Sequence, residues 1–528
     1  MRFAFVWAMA IAALATLATP SPAQGQQVLE RGNTAEPETL DPHKSSTVYE
    51  ATIQRDLFEG VVAEAADGSL IPGVAKAWEV DEGGTVYTFQ LRPEATWSNG
   101  DPLTAHDFVY AMQRLLNPAT AAKYASILYP IQNAEAINQG ELEDLDALGV
   151  MAVDDTTLRI TLKAPTPYFL QQLTHNTAYP VHRPSVEAHG NAWTRPGNLV
   201  SNGAYILKAW QPQTQITLEK NPRFHDAENA AIDTVNYYPT EDLSTALRRF
   251  RAGELDINNE VPVAQIDWLR SNLPEAFKVA PYLGLYYYAF NTERPPFDDA
   301  RVRRAIAMAI DREIIVEKIT KAGEIPAYSL VPPGVADYQP TYVDFRAWDP
   351  ERRRREAARL LAEAGFGVDE PLGFTLSYNT SENHKQVAIA IAAMLKPLGV
   401  QVELFNTEVR VHYNNLQAGD FQVARAGWIA DYNDAQNFLF LLESNNPALN
   451  YANYQNPDYD ALMAEAAVTA DTALRTDLMA RAEALALEDM PYIPIYYYVS
   501  KSLVQPHVKG WEDNVKNVHP TRFLRIER

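Results

Sequence analysis

The sequence predicts an α/β protein that is built from several lobes. Segments with the two-residue period of strands and segments typical of helices are mixed along the whole 528-residue chain, without regular alternation or internal repeat. A chain of this length is large enough for two or three domains. No Pro/Gly/Ser-rich linker separates them, and we therefore expect the chain to cross between lobes more than once.

In the N-terminal half, the clearest strand is residues 85–91, TVYTFQL, in which polar and apolar residues alternate. The next predicted element is a helix over residues 104–116. Thr104 is suited to be its N-cap, and Asp107 would lie near the positive end of the helix dipole. Two further strands are predicted at residues 158–162 and 216–222.

The C-terminal half also mixes both kinds of element. The patterns predict helices over residues 302–320, 384–395 and 474–487, and strands over residues 400–405, 421–426 and 492–503. The longest basic run, residues 352–355, lies in a helix predicted to start after Asp349-Pro350. We interpret this run as a solvated helix face.

The first residues have the pattern of a secretory signal peptide. Arg2 precedes a short, alanine-rich apolar run, and Ser21 and Ala23 occupy the two positions that signal peptidase reads. We predict cleavage after Ala23, which makes residues 1–23 a leader; a retained membrane anchor is the alternative. The chain has no cysteine, so a cysteine-linked lipoprotein and disulfides are excluded. Export to a Gram-negative periplasm fits best.

Charge and hydropathy narrow the choice of partners. The net charge is −22, and it becomes −23 when Arg2 leaves with the leader. A polyanion is a poor partner for nucleic acid or anionic lipid. No second long apolar run occurs, so no transmembrane helix is predicted. We expect a soluble monomer that binds no nucleic acid.

The sequence lacks the common local signatures of enzymes. It contains no Gly-x-Ser-x-Gly elbow, Ser-x-x-Lys pair, His-Glu-x-x-His motif or phosphate-binding loop. Its ten histidines have no metal-ligand spacing, so neither a metal site nor a cofactor is predicted. A glycosidase would leave little local signature, and an enzyme with a clamp-shaped cleft is therefore retained as the alternative to a binding protein.

The most informative segment is residues 424–434, ARAGWIADYND. Arg425, Trp428 and Asp431 lie close together there, between small and apolar residues, after the alternating end of a predicted strand. A carboxylate in apolar surroundings needs a cationic partner, because its desolvation is costly. That partner could be Arg425, another residue of the protein or the ammonium group of a ligand.

Several segments in one order resemble the family-5 solute-binding proteins of ABC importers, which include oligopeptide-, dipeptide- and nickel-binding proteins. The family signature is resembled by residues 70–80, 85–92 and 97–108. The oligopeptide-binding branch is resembled more closely, at residues 40–44, 201–205, 281–283, 286–288, 379–385 and 424–433. The resemblance covers essentially the whole chain after the leader.

This resemblance implies a three-lobed periplasmic binding protein of the type II, cluster C class. Lobe I would comprise residues 24–58, 184–283 and 499–528, the extra lobe II residues 59–183, and the second clamp lobe III residues 284–498. Lobes I and III would close on an extended peptide, which would be held by strand-like main-chain hydrogen bonds and by roomy, wet pockets. The closed form would then be presented to the membrane permease of the importer, and no chemistry would be performed.

Site residues follow from the same resemblance. Asp431 matches the acid that pairs with the α-ammonium of a peptide, and Trp428 and Tyr124 match residues that line the cleft. Arg425 and His384 match groups that meet a C-terminal carboxylate. The same comparison assigns further residues to the neighbourhood of the cleft: Val48, Asn258, Asn259, Tyr282 and Tyr287. For the tyrosines, ordinary strand packing is the alternative.

The chain also departs from the oligopeptide-binding branch. Ala289 replaces a glutamate and Leu416 an arginine, and both changes together avoid leaving one unmatched charge in a closed cleft. A lysine is replaced by Thr320, next to Lys321, and an acid by Ser46. The Ala/Leu pair resembles the murein-tripeptide-binding branch. We therefore keep two ligand hypotheses, generic short peptides and an anionic cell-wall peptide, with nickel or another solute as a weaker third.

Overall fold

The structure is a computed structural model that describes residues 26–367, 369–447 and 449–528. The predicted leader, residues 1–23, lies outside the described residues. Strands and helices are mixed along the chain, as the sequence predicts.

The strands are as follows, in chain order: β1 (Val28–Asn33), β2 (Val62–Glu64), β3 (Leu70–Pro72), β4 (Ala75–Val80), β5 (Val86–Leu91), β6 (Val150–Asp154), β7 (Thr157–Thr161), β8 (Tyr205–Gln211), β9 (Gln215–Lys220), β10 (Thr234–Pro239), β11 (Ile257–Asn258), β12 (Phe277–Phe290), β13 (Ile325–Pro326), β14 (Gly373–Asn379), β15 (Gln401–Thr407), β16 (Val423–Ile429), β17 (Tyr492–Val504), β18 (Val508–Lys509) and β19 (Arg525–Ile526).

The α-helices are as follows: α1 (Val48–Leu57), α2 (Ala105–Leu116), α3 (Ala134–Asn138), α4 (Phe169–Gln172), α5 (Arg183–His189), α6 (Leu243–Arg251), α7 (Ile266–Asn272), α8 (Ala300–Ala309), α9 (Arg312–Ile314), α10 (Pro350–Glu363), α11 (Glu382–Leu395), α12 (Val409–Gln417), α13 (Gln436–Leu439), α14 (Pro457–Val468) and α15 (Thr472–Asp489). Short 3-10 turns connect several of them, and a π-helical turn over Ile315–Thr320 follows α9.

One large mixed sheet runs through most of the molecule. Its strand order is β15-β14-β16-β12-β17-β11-β1-β10-β9-β8, and β13 also pairs with β17. The long strands β12 and β17 are antiparallel neighbours, and their register is interrupted between Pro281 and Leu285. This interruption bends the pair in the middle of the sheet. A separate sheet, β4-β5-β7-β6, lies in the segment before β8.

The apolar side chains form separate cores on the two sides of that bend and around the small sheet. The first core contains buried residues between 283 and 497, and the second contains residues between 61 and 178. The remaining two are built from residues 29–58, 179–279 and 499–524, with Ala111 and Ala322 added from outside those ranges. The division into lobes I, II and III with the boundaries given above stays a prediction.

Several predicted elements are confirmed. Helix α2 begins after Thr104, whose side chain and that of Asp107 form a capping box. Strand β17 and helix α15 cover the segments predicted for them. The predicted helix over residues 302–320 is wrong in its continuity, because α8 ends at Ala309 and a new turn begins after Asp311.

Two interpretations need correction. The basic run in α10 is not wholly solvated: Arg353 is buried, and its guanidinium donates to the hydroxyl of Tyr328 at 2.7 Å. The strand that was predicted to end near Ala426 continues to Ile429 as β16. Trp428 is therefore a strand residue, and Asp431 follows the strand end by two positions.

Candidate functional site

A cavity of about 820 Å³ lies beside the register interruption of β12 and β17. One wall comes from α1 and the turn after β11, and another from the end of β16 and the middle of β17. A third comes from two segments that follow α2, at Tyr124 and His175, and from the C-terminal region. The wall segments are residues 45–55, 259–261, 427–431, 498–501 and 516–518, with Tyr124, His175, Tyr282, Tyr413 and Tyr451 between them.

Six of the predicted site residues line this cavity: Val48, Tyr124, Asn259, Tyr282, Trp428 and Asp431. Tyr282 reaches it because it lies in the register interruption of β12 and β17. Asn258 lies directly behind the wall, where its side-chain amide donates to the carbonyl of Glu260 at 2.5 Å. The cavity therefore brings together residues that are distant in the sequence.

One edge of β16 is open where it meets the cavity. On one side β16 pairs with β12 along its whole length, from Val423 to Ile429. On the other side, β14 pairs only with Val423 and Ala424 in the part of the chain that the structure describes. The edge at Gly427 and Trp428 thus has no neighbouring strand there, and such an edge can accept an extended peptide as an added strand.

Gly427 keeps this edge accessible. A Cβ atom at this position would lie 2.8 Å from the hydroxyl of Tyr498 and 3.1 Å from a guanidinium nitrogen of Arg425. A larger residue would therefore displace the groups that line and support the cavity.

Asp431 is a half-buried carboxylate that faces the cavity. Within the described ranges its side chain forms no ion pair of 4 Å or less and no hydrogen bond. Burial raises the pKa of its carboxyl to about 6, and the charge of Lys516 only partly offsets this. The ammonium of Lys516 is itself paired with Glu64. Asp431 is thus a cavity-facing carboxylate without a partner among the described residues, and a cationic group in the cavity would stabilise its charged form.

Asn437, which the sequence analysis missed, positions both Trp428 and Asp431. Its side-chain oxygen accepts a hydrogen bond from the indole of Trp428 at 3.0 Å and another from the backbone N–H of Asp431 at 3.1 Å. Asn437 is buried on the short helix α13. The sequence around Asn437 does not indicate this role, because its side chain reaches Trp428 and Asp431 only after the chain has folded back onto the end of β16.

Arg425 lies one layer behind the cavity wall. Its guanidinium donates to the hydroxyl of Tyr498 at 2.7 Å, to Asn379 at 3.1 Å and to the hydroxyl of Tyr413 at 3.3 Å. It also lies over the ring of Tyr286, 4.7 Å from the ring centroid. No carboxylate among the described residues lies within 4 Å of it. Arg425 is therefore not the partner of Asp431, and its positive charge acts on the cavity through two tyrosine hydroxyls.

His384 packs beside Arg425, with its Nδ1 3.3 Å from the hydroxyl of Tyr286. Burial, together with the charge of Arg425, lowers the pKa of His384 to about 3. The imidazole is consequently neutral at neutral pH, and of this predicted pair only Arg425 carries a positive charge.

Three predicted residues lie in the core of residues 283–497 and do not line the cavity. Tyr287 is fully buried and packs on the ring of Tyr492 at 4.4 Å, because successive side chains of β12 point to opposite faces of the sheet. Ala289 and Leu416 are 0% and 1% exposed. Both side chains are part of the apolar core. That their replacement of charged residues affects ligand binding stays a prediction.

Of the two other residues that differ from the oligopeptide-binding branch, one lines the cavity and one is buried, whereas Lys321, next to the buried one, lies on the surface. Ser46 lines the cavity, near the ammonium of Lys123. Thr320 is buried and donates to Glu324 at 2.7 Å. Lys321 pairs with Asp267 at 3.3 Å on the surface.

The cavity wall also contains polar residues that the sequence patterns did not indicate: Arg55, His175, Glu260, Tyr413, Tyr498, Lys501 and Lys516. Arg55 lies in the last turn of α1, where a basic residue is commonly a complement to the helix dipole. Its local sequence therefore gives no reason to assign it to a cleft.

Two features are absent from the described ranges, 26–367, 369–447 and 449–528. None of their helices has the length and apolar character needed to cross a membrane. No three histidine, aspartate or glutamate side chains within them are grouped so that they could hold a metal ion.

The family model described as "Bacterial extracellular solute-binding proteins, family 5 Middle" matches residues 69–450. The chain belongs to this family. The resemblance to family-5 proteins is thereby confirmed, and so is the expectation of a solute-binding protein as opposed to an enzyme.

The family-5 relatives match over nearly their full length. The chain is 43% identical to the periplasmic oligopeptide-binding protein OppA of Salmonella typhimurium, over 98% of this chain and 96% of that protein. The solved structure of the Escherichia coli murein tripeptide binding protein MppA matches with a TM-score of 0.85 and 38% identity, over 95% and 99% of the two chains. The structure of Haemophilus influenzae OppA in complex with RPPGFSPFR matches with a TM-score of 0.83 and 38% identity, over 95% and 99%. These matches confirm the predicted α/β binding-protein fold.

Proposed function

We propose that this chain is the periplasmic ligand-capturing subunit of an ABC importer and that its ligands are short peptides. The observation that carries the proposal is Asp431, a half-buried carboxylate that faces the cavity without a partner of its own. The α-ammonium of a peptide supplies the missing charge and forms a charge-assisted hydrogen bond with it. Trp428, held by Asn437, forms the adjacent wall.

The open edge of β16 supports main-chain recognition of the same peptide. An extended ligand whose ammonium lies at Asp431 would pair with the backbone at Gly427 and Trp428 as an added strand. Because these hydrogen bonds involve only the peptide backbone, they add affinity without selecting a sequence. Arg425 would attract a carboxylate at the other end of a short peptide through Tyr413 and Tyr498.

The cellular setting belongs to the same proposal. The Salmonella typhimurium relative is periplasmic by name, and residues 1–23 have the pattern of a cleaved leader. The importer's membrane permease would be the protein partner, and the subunit would act as a monomer without nucleic acid, metal or cofactor. The lobes I, II and III defined above would be the moving parts.

A cell-wall peptide is the second candidate ligand. It is favoured by the replacement of a glutamate and an arginine by Ala289 and Leu416, and by the match to a murein tripeptide binding protein. Murein tripeptide also has a free α-ammonium, so Asp431 does not discriminate between the two candidates. Their difference lies in the additional carboxylates of the murein peptide.

Calorimetry on protein that has been unfolded and refolded to remove carried ligand tests the proposal. We expect tri-alanine to bind, and N-acetyl-tri-alanine, which lacks the ammonium, to bind at least tenfold more weakly. Asp431→Asn should abolish this difference. Binding of murein tripeptide alone would favour cell-wall peptide capture. Equal binding of the free and acetylated peptides would contradict the role of Asp431.

A further inference from the structure

A second uncompensated charge lies in the cavity, at Arg55. This arginine is in the last turn of α1 and lines the cavity. Its Nε is buried and has no hydrogen-bond partner in the protein. Among the described residues, no carboxylate lies within 4 Å of its guanidinium.

The other cations of the wall are neutralised. Lys501 pairs with the buried Glu324 at 2.7 Å, and Lys516 pairs with Glu64. A half-buried guanidinium that has no such partner among the described residues can pair with an anionic group of a ligand. Arg55 thus differs from these two lysines, because no carboxylate among the described residues pairs with it.

The surroundings of Arg55 are suited to an anion. Next to the main cavity is an annex of about 20 Å³, which is lined by Arg31, Arg55, Asn259 and His519 among others, and by no carboxylate. Arg31 is engaged there by the carbonyl of His519 and the hydroxyl of Thr521, whereas Arg55 is not. The annex has room for about one water molecule, so a larger anion must approach Arg55 from the main cavity.

The histidine of the cavity wall does not compete for this role. His175 lines the same wall, and burial, assisted by the charge of Arg55, lowers the pKa of His175 to about 3. It is neutral at neutral pH. Glu260 lines the cavity as well but forms no ion pair with Arg55. Arg55 therefore provides a positive charge on the cavity wall that no described carboxylate pairs with, next to Arg31 in the annex.

We propose that Arg55 is an anion subsite of the ligand cleft, which selects peptides that carry a carboxylate besides the C-terminal one. The inference rests on the proposed function, because it requires the peptide ammonium to be anchored at Asp431. A planar guanidinium binds a carboxylate with two parallel hydrogen bonds. Two sources supply such a group: the side chain of an aspartate or glutamate residue, and the free carboxylates of murein tripeptide.

The test compares peptides that differ only in this charge. Affinities of Glu-Ala-Ala, Ala-Glu-Ala and Ala-Ala-Glu are measured by calorimetry against the matching glutamine peptides and against murein tripeptide. They are measured with the wild type, Arg55→Met and Arg55→Lys. Lys123→Met is the matched control: it removes an exposed positive charge that contacts Ser46 of the wall but does not itself line the cavity.

We expect the wild type to bind at least one glutamate peptide tenfold or more tightly than its glutamine counterpart. This ratio should fall to about one in Arg55→Met, be intermediate in Arg55→Lys and persist in Lys123→Met. If murein tripeptide also loses affinity in Arg55→Met, one of its carboxylates binds at the same subsite. If only the glutamate peptide loses affinity, the subsite binds a side-chain carboxylate.

The inference is overturned if peptides bind but the wild type shows no preference for glutamate, or if the preference survives in Arg55→Met. If Arg55→Met does not fold, the wild-type ratio and its reduction to an intermediate value in Arg55→Lys decide the question. A wild type that binds none of the peptides overturns the proposed function as well, which distinguishes the two failures.

Discussion

Tyr432 stacks on Tyr168, with ring centroids 4.8 Å apart and ring planes inclined by only 5°. Tyr432 directly follows Asp431, whereas Tyr168 immediately precedes helix α4. A hydrogen bond joins the same segments, since the backbone N–H of Asn433 donates to Gln171 at 2.7 Å. Arg475 of α15 supports both, because it pairs with Asp434 at 2.8 Å and lies over the ring of Tyr168. The loop that carries the ligand-facing carboxylate is thus held from a distant part of the chain.

Removal of this stack should weaken ligand binding. Tyr168→Ala loses a ring contact of about 0.5–1.5 kcal/mol, which corresponds to a roughly two- to tenfold weaker affinity for tri-alanine by calorimetry. Tyr168→Phe is the control, because it retains the stacked ring. Equal affinities of the alanine variant and the wild type would show that the stack does not contribute to the arrangement that binds ligand.

Peptide affinity should depend on pH through Asp431. Burial raises the pKa of this carboxyl to about 6 from the ordinary value of 3.8, and only the ionised form attracts an ammonium. Affinity for tri-alanine should therefore fall as the pH decreases below about 6, with a limiting slope of about tenfold per pH unit. Calorimetry between pH 4.5 and 8 measures it; Asp431→Asn should show no such slope.

The same pKa has the opposite effect on the stability of the ligand-free protein. Because the folded state holds the proton of Asp431 more tightly than the unfolded chain, this group stabilises the fold below pH 3.8, and its contribution is lost as the pH rises through about 6. The difference between wild type and Asp431→Asn in free energy of unfolding should accordingly grow with pH in favour of the variant. A constant difference from pH 4 to 7 would contradict the raised pKa.

Asn437 should matter for both stability and binding. Asn437→Ala leaves the indole of Trp428 and the N–H of Asp431 without their acceptor, at a cost of about 1–3 kcal/mol for each buried donor. Urea unfolding and tri-alanine titration should both be affected. Trp428→Phe is the partial control, because Asn437 still accepts from Asp431, and we expect its loss of affinity to be smaller.

Introduction of an arginine at position 416 should mainly destabilise the fold. Leu416 is 1% exposed in an apolar core, and a buried unpaired charge costs on the order of 3–5 kcal/mol. Leu416→Met serves as the control that preserves volume. Chemical denaturation measures the difference. Full stability of Leu416→Arg would mean that this position has access to solvent or to a ligand, and would favour the hypothesis that the departure shapes the cleft.

Local patterns were sufficient for much of the fold. The capping residues of α2 are three positions apart, and the alternation of β5 lies within six residues. Each of these features is therefore visible in the local sequence. The continuity of the helix predicted over residues 302–320 was wrong, since a local period does not reveal the break between α8 and α9. The burial of Arg353 could not be predicted from its local sequence either, because its partner Tyr328 lies in another segment of the chain.

The sequence by itself determined the class of protein and the motif around Asp431, because many segments in one order match family 5 and because a carboxylate in apolar surroundings demands a partner. Only the tertiary structure decided which charges are free. Asp431 and Arg55 have no partner in the described protein, whereas Lys501 and Lys516 do. The reason is physical: charge compensation depends on distances across the folded chain, and residues 55, 431 and 516 come together only when the sheet bends around the cavity.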